Sequence, residues 1–392
     1  MENKNEWKKV KLGEIVTITM GQSPKSEFYN LAGEGVPFLQ GNRTFGEKFP
    51  SFDTYTTKVT KIAKKNDVIM SVRAPIGDLN LATTDICLGR GVCSLRMNNG
   101  NYEFLFYLLK YYSKQLINNG NGTVFTSINR NEIYNLEISI PNNEFIQKKI
   151  SKILSDIDNK IESNNKINNN LEEQIQVLFS KWLSNNFKFS NKVTLEEVCS
   201  KITDGSHFSP KDNSLSSIPM LSVKDMEKFD FNLKSCKHIS ETDYQKMLMN
   251  DCVPKINDIL VAKDGSYLKE IFICNEERRI AILSSIAIFR PNLKKIYPEI
   301  LLAFLKSPNL LKEVRDNYVS GSALPRIVLR DFKKLSFYLP SIEIQSEISS
   351  LFYSIRKQIA KNIMENEKLI NLKNYLLPKL MNGEIDVEKI EL

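Results

Sequence analysis

The sequence predicts an α+β protein: two similar mixed α/β globular units separated by two long antiparallel coiled-coil helices, related by a pseudo-twofold internal repeat. Three observations predict it. The segment IQKKISKILSDIDNKI (146–161) matches IQSEISSLFYSIRKQI (344–359), with six of sixteen positions identical and every apolar position of the first copy apolar in the second. Upstream, GTVFTSINRNEIYNLEISIP (122–141) aligns without gaps to GSALPRIVLRDFKKLSFYLP (321–340). After both, apolar residues recur in alternating steps of four and three, the spacing of a coiled-coil seam.

The repeat sets the organisation. Each copy of the upstream segment ends in an alternating run, Leu136-Ile138-Ile140 and Leu335-Phe337-Leu339, followed by proline, which reads as a half-buried strand and a stop. VKLGEIVTI (10–18) echoes VTLEEVCSKI (193–202), and KKNDVIMSVRAPIG (64–77) echoes KINDILVAKDGSY (255–267), each of the latter pair a turn into a buried strand. The offset between copies grows from 183 to 198 residues, so the second unit is about 15 residues longer, with the insertions between scaffold pieces. A shared frame with different loops implies two similar sites for different ligands. Four blocks result: a first globular unit over 1–145, a first long helix over 146–188, a second unit over 189–343, and a second long helix with the C-terminal tail over 344–392.

The seam of the first helix runs Ile150, Leu154, Ile157, Ile161, Asn164, Asn168, Leu171, Ile175, Leu178 and Trp182. The second runs Ile348, Phe352, Ile355, Ile359, Asn362, Asn366, Leu369, Lys373, Leu376 and Leu380. The asparagine-rich stretch IESNNKINNNLEEQ (161–174) thus continues a helix roughly 55 Å long. A unit of this size, with a radius of gyration near 15 Å, bridges the end of one helix to the start of the next only if those ends are neighbours, so the helices run antiparallel. Pairing Asn164 with Asn366 and Asn168 with Asn362 places Ile150 against Leu380, Leu178 against Phe352 and Trp182 against Ile348; Ile157 opposite Lys373 fits poorly. Two readings stay open for the four amides: a central polar layer that fixes helix–helix register, or a solvated polar face.

Composition bounds the function. With 392 residues, 42% hydrophobic and 26% charged, the chain is a multidomain globular protein. Its longest apolar runs, such as FLFYLL (104–109), are too short to span a bilayer, and MENKNEWKKV lacks a signal-peptide core, so a cytoplasmic location and no membrane partner are expected. The six cysteines show no CxxC spacing and the two histidines join no metal-like cluster, which favours free thiols over a metal site. A net charge of +8 favours a polyanionic partner.

Signatures of catalysis were sought and not found. There is no GxxxxGK[ST] loop, no Asn-Pro-Pro-aromatic string, no GxSxG elbow and no Pro-Asp followed by ExK. The glycine pairs 33/35, 89/91 and 120/122 lack the third glycine of a dinucleotide fingerprint. A non-catalytic chain is expected.

Two divergent globular units, each followed by a matching helix, resemble over essentially the whole chain the specificity (S) subunit of type I restriction-modification systems. GQSPKSEFYN leading to GVPFLQGN resembles the opening of one target recognition domain, and ITDGSHFSPK leading to IPMLSVKDM that of a second; NDVIMSVRAPIG, NDILVAKDG and LLPKLMNGEI fit the same family. The resemblance implies that each domain reads one half of a bipartite double-stranded DNA target while the helices hold them apart and dock two methyltransferase (M) subunits, joined by restriction (R) subunits. It also implies that this chain binds no cofactor, that the partner methyltransferase uses S-adenosylmethionine, and that the restriction subunit uses ATP and Mg. Base reading needs Arg, Lys, Asn, Gln or hydroxyl side chains on loops. The loops of the first unit offer Gln22, Ser23, Lys25, Asn42, Arg43, Arg73 and Arg90, and those of the second His207, Lys211, Lys224, Lys263 and Arg326. Arg73 and Lys263 hold nearly equivalent places in the repeat. For each residue a solvated or capping role stands beside the DNA role, and Gly89-Arg90-Gly91 also reads as a tight turn. Other readings stay open too: service to a fused endonuclease-methyltransferase of type IIB kind, a diverged self-contained enzyme, or a coiled-coil adaptor with only nonspecific DNA binding.

Overall fold

The computed structural model describes residues 7–118, 127–213, 215–233, 236–265, 268–317 and 326–390. The glycine pair 120/122, the leading residues of the repeated segments (122–126 and 321–325) and residues 266–267 lie outside them. The chain forms two compact units, Met1–Glu162 with Asn366–Leu392, and Ser163–Glu365. Each unit takes part of both long helices, Glu144–Asn186 and Ile342–Met381.

In the first unit a four-stranded antiparallel sheet has the order Val16–Met20, Val92–Met97, Val68–Ser71, Leu79–Leu81. The second unit repeats it as Cys199–Asp204, Ile286–Pro291, Ile259–Ala262, Ile271–Ile273. A smaller mixed sheet adjoins each, built on a parallel pair: Val36–Leu39 with Ile86–Leu88, and Ile218–Leu221 with Ala281–Ile282. The expected strands before each proline form, Glu137–Pro141 and Ser336–Pro340, and each pairs with the strand that opens its unit.

The repeated sequence echoes have physical causes. Asn66 and Asn257 take left-handed φ values of 72° and 70°, which asparagine tolerates in a turn. The aspartates that follow are buried; Asp67 accepts the Lys64 N–H at 2.9 Å and Asp258 the Lys255 N–H at 2.8 Å. Each also accepts two hydrogen bonds from an arginine on the neighbouring strand, Arg96 or Arg290, at 2.7–2.9 Å. The shared Ile-Gln that opens the helices is equally functional. Gln147 Nε2 donates to the Pro141 carbonyl and Gln345 Nε2 to that of Pro340, both at 2.9 Å, fastening each helix to the strand before it.

The two helices run antiparallel within each unit. In the first, Ile150 and Leu154 share a core with Leu380 and Met381, Asp158 pairs with Lys373, and Lys149 Nζ donates to the carbonyls of Val387, Glu388 and Ile390. Lys373 thus turns from its expected neighbour Ile157 to the next residue, whose carboxylate also accepts the Tyr107 hydroxyl at 2.6 Å. In the second unit Asn362 Nδ2 donates to Asn168 Oδ1 at 2.7 Å, the expected pair, and Gln358 Nε2 donates to Asn362 Oδ1 at 2.8 Å. Asn164 Nδ2 donates to Glu365, one residue before Asn366. All four asparagines are buried.

The seam departs from expectation at Leu178, which is exposed, while Phe179 is buried beside Trp182 and Phe304 and shares a core with Ile348 and Phe352. Past Ile175 the helix packs on the unit's own core rather than along a two-helix seam, and a straight helix drifts from a 3.5-residue repeat.

Two predictions follow from this packing. Asn362→Leu leaves Asn168 Oδ1 buried without that donor and should cost about 1–3 kcal/mol, whereas the double change with Asn168→Leu should be nearly neutral; urea unfolding of the four chains in the cycle checks it. Asp251 accepts hydrogen bonds or ion pairs from Lys201, Lys255 and Arg290. Its burial pushes the pKa up, but the three cations outweigh burial and hold it well below the usual carboxylate range. A group lowered on folding contributes its full stability above its unfolded pKa, near 3.9, and loses it as pH falls toward the folded value. Acid unfolding below about pH 4 should therefore be less steep in Asp251→Asn, measured as urea midpoints across pH 5 to 2.

Candidate nucleic-acid interface

In each four-stranded sheet the second strand runs antiparallel to its neighbours, so its start lies beside their ends. Residues after Met20 and Ser71 and before Val92 therefore gather at one edge of the first unit. Short bonds tie these loops together. Gln22 N–H donates to the Leu88 carbonyl at 2.9 Å, Val72 N–H to Gly91 at 2.9 Å, and Ile128 N–H to Val72 at 2.9 Å. Gly89 and Gly91 are not turn glycines in the left-handed sense. They allow close approach, since a Cβ on either would lie 2.7 or 2.4 Å from the backbone of Gln40.

The structure sorts the expected residues of this edge by availability. Gln22, Arg73 and Arg90 are exposed, and among the described residues neither arginine has an ion-pair partner. Ser23 is used internally: its hydroxyl donates to Gln40 Oε1 at 2.8 Å and accepts the Arg90 N–H at 3.1 Å. Asn42 Nδ2 donates to Asp78 at 2.6 Å, which orients its amide. Arg43 is clamped to Asp53 through both terminal nitrogens at 2.8 Å, and the hydrogen bond from Asp53 raises its pKa further. Lys25 is exposed, 4.0 Å from Glu27.

The second unit presents the equivalent edge. Gly205 N–H donates to the Ile286 carbonyl and Ser206 N–H to that of Ile282, matching Gly21 and Gln22. His207, Lys211 and Lys224 are exposed, with His207 Nε2 3.3 Å from Asp204. Lys263 is a correction to its expected position: it is buried, 3.2 Å from Asp204 and 3.7 Å from Asp264. Its equivalence to Arg73 also shifts by one residue. Arg73 bridges Ser127 as Asp264 bridges Arg326, so Asp264 corresponds to Arg73 and Lys263 to the core residue Val72. Arg326 is exposed at that bridge.

Several residues of these edges escape sequence reasoning. Gln40 and Asp78 hold Ser23 and Asn42, and no local pattern marks them because their partners lie 17 and 36 residues away. Phe208, 64% exposed between His207 and Ser209, offers an apolar face where the sequence drew attention only to its polar neighbours. The two edges thus differ in charge: the first carries arginines toward solvent, the second a carboxylate-lysine network.

No helix among the described residues is long and apolar enough to cross a membrane, and none of their His, Cys, Asp and Glu side chains forms a group of three or more that could hold a metal ion. All six cysteines are free thiols, and burial raises the Cys93 and Cys199 pKa values to about 12.

Comparison with known proteins bears on this architecture. The MjaX specificity subunit of Methanocaldococcus jannaschii, a putative type I restriction enzyme subunit, is 40% identical over 172 residues, 43% of this chain and 40% of that relative, so that match spans less than half of its length. The type I restriction enzyme MjaIX specificity subunit of the same organism is 24% identical across 98% of this chain and 95% of its own. The HindI specificity subunit of Haemophilus influenzae is 24% identical across 97% and 100%. The crystal structure of the type I restriction-modification S subunit from M. genitalium shares the fold, with a TM-score of 0.57 over 97% of both chains at 17% identity. The family model for the type I restriction modification DNA specificity domain matches twice, over residues 4–173 and 189–372. With two copies of that domain spanning most of its length, the chain belongs to the type I restriction-modification DNA specificity family.

Proposed function

We propose that this chain is the non-catalytic sequence-recognition subunit of a type I restriction-modification complex, each unit reading one half of a bipartite double-stranded DNA target with the edge described above. The observation that carries this reading is the duplication of one scaffold under divergent side chains. The same strand ends and the same backbone bonds present Gln22, Arg73 and Arg90 in one copy and His207, Lys211 and Lys224 in the other. A repeated frame with unlike loop chemistry suits two half-sites of unlike sequence. Arginine to guanine and asparagine or glutamine to adenine are the pairings such side chains favour in the major groove.

The long helices keep large apolar side chains in solvent, including Val177, Tyr353 and Tyr375. Exposed apolar groups of this kind support the docking of two methyltransferase subunits, with restriction subunits joining that assembly. This chain holds no cofactor of its own in the reading; S-adenosylmethionine belongs to the methyltransferase, and ATP and Mg to the restriction subunit. Co-expression with a methyltransferase partner followed by methylation mapping of the host DNA tests it. A single bipartite motif with a fixed unread spacer is expected. Methylation without such a motif, or binding to DNA that is sequence-blind and lost steeply with salt, would reject the reading.

A further inference from the structure

The repeat exposes a difference inside the second unit that DNA reading does not use. Glu103–Lys110 (EFLFYLLK) and Glu299–Lys306 (EILLAFLK) are the same helix segment in the two copies, and Tyr107 in the first becomes Ala303 in the second. In the first unit the Tyr107 ring is 1% exposed and its hydroxyl donates to Asp158, which also pairs with Lys373. The residues at the Asp158 and Lys373 places in the repeat are Arg356 and Ile175. Ala303, Arg356 and Ile175 all line one cavity of the second unit, walled further by Phe229, Phe272 and Phe352.

Two polar atoms of this cavity's lining are buried without a hydrogen-bond partner, Arg356 Nε and Gln176 Oε1. The remaining groups are matched: Arg356 donates to Asn275 at 2.8 Å and Glu299 at 2.7 Å, Lys306 pairs with Glu172, and Gln176 Nε2 donates to the Ala303 carbonyl at 3.3 Å. The charges lining it therefore balance, which disfavours a charged guest. Its volume is about 50 Å³, against roughly 10–15 Å³ for one water, which suits a single ring and not a fused pair. One unmet donor, one unmet acceptor, apolar walls and a missing tyrosine ring define a specific chemistry.

We propose that this cavity is a binding site for a free, neutral phenol-class small molecule, one aromatic ring bearing one hydroxyl. The ring takes the place that Tyr107 holds in the first unit. Its hydroxyl oxygen accepts from Arg356 Nε and its proton goes to Gln176 Oε1, which satisfies both buried groups at once. The site joins both long helices to the sheet strand Ile271–Ile273 within the unit, so occupancy stabilises that unit's fold.

Thermal unfolding of the purified full chain with phenol, toluene and cyclohexanol tests this. Phenol should raise the midpoint saturably, by about 2–4 °C at concentrations well above its Kd, toluene less and cyclohexanol least. Ala303→Tyr should raise the midpoint without ligand and abolish the phenol effect. Gln176→Leu, close in volume, should weaken phenol about tenfold and leave toluene unchanged, and it keeps the test open if Ala303→Tyr fails to fold. No saturable phenol effect on the wild-type chain would overturn the proposal, as would an effect that survives either substitution, which would place the ligand elsewhere.

Discussion

Asp258→Ala is expected to destabilise the second unit by about 3–5 kcal/mol, toward the lower end of that range. The carboxylate is fully buried and accepts three hydrogen bonds near 2.8 Å, from Arg290 Nε, Arg290 Nη2 and the Lys255 N–H. Its removal strands a guanidinium that is only 20% exposed and frees the backbone of the turn that sets the strand Ile259–Ala262. Arg290 keeps Asp251 at 3.0 Å, which limits the loss. The equivalent Asp67→Ala in the first unit should cost about 1–3 kcal/mol, because Arg96 is 52% exposed and returns to water more easily. Urea unfolding followed by a probe in each unit separates the two effects, since the two compact units need not unfold in one transition. Replacing the whole pair, Asp258→Leu with Arg290→Met, should recover most of the stability. A loss below about 0.5 kcal/mol for Asp258→Ala, the size of an ordinary surface change, would show that the pair does not hold the turn.

The scaffold was legible in the sequence because its signals are periodic or duplicated. The 3.5-residue spacing located both helices, and the doubled asparagines located the Asn168–Asn362 contact across 194 residues. Where the partner surface changes, periodicity misleads: beyond Ile175 the helix meets Phe304 instead of a second helix, and Phe179 replaces Leu178 in the core. The edges were legible as loops with suitable residue types, but availability was not. Arg43 and Arg73 are the same residue type at similar loop positions, yet Asp53 clamps one and nothing among the described residues clamps the other. Lys263 looked like a loop cation because the repeat was aligned one residue out; the isolated bridges at Arg73 and Asp264 set the alignment, and a chain-remote backbone contact of that kind leaves no local trace. Identity of a side chain is written in the sequence, whereas its competing partners are set by tertiary structure.

That contrast makes Arg73 the sharpest test of base reading. Arg73→Ala should weaken binding to the intact target by about 1–3 kcal/mol, roughly 5- to 150-fold in Kd at fixed salt, and relax specificity at one position of one half-site. Its backbone is pinned by the bridge to Ser127 and by the bonds of neighbouring Val72 to Gly91 and Ile128, so the side chain is displayed from a fixed point. Because the side chain is exposed and no ion pair is lost among the described residues, truncation should leave the unfolding midpoint unchanged, and any loss of binding belongs to the DNA contact. Arg43→Ala, which frees Asp53, should cost less binding. Two salt concentrations and a set of targets with single substitutions separate the possible roles. A base contact gives a loss that vanishes on targets already altered at the matching position. A phosphate contact gives a uniform loss on every sequence and lowers the salt slope by about one. Loss of discrimination in the half-site read by the second unit, with the first unchanged, would reverse the assignment of Arg73 to its own unit's target.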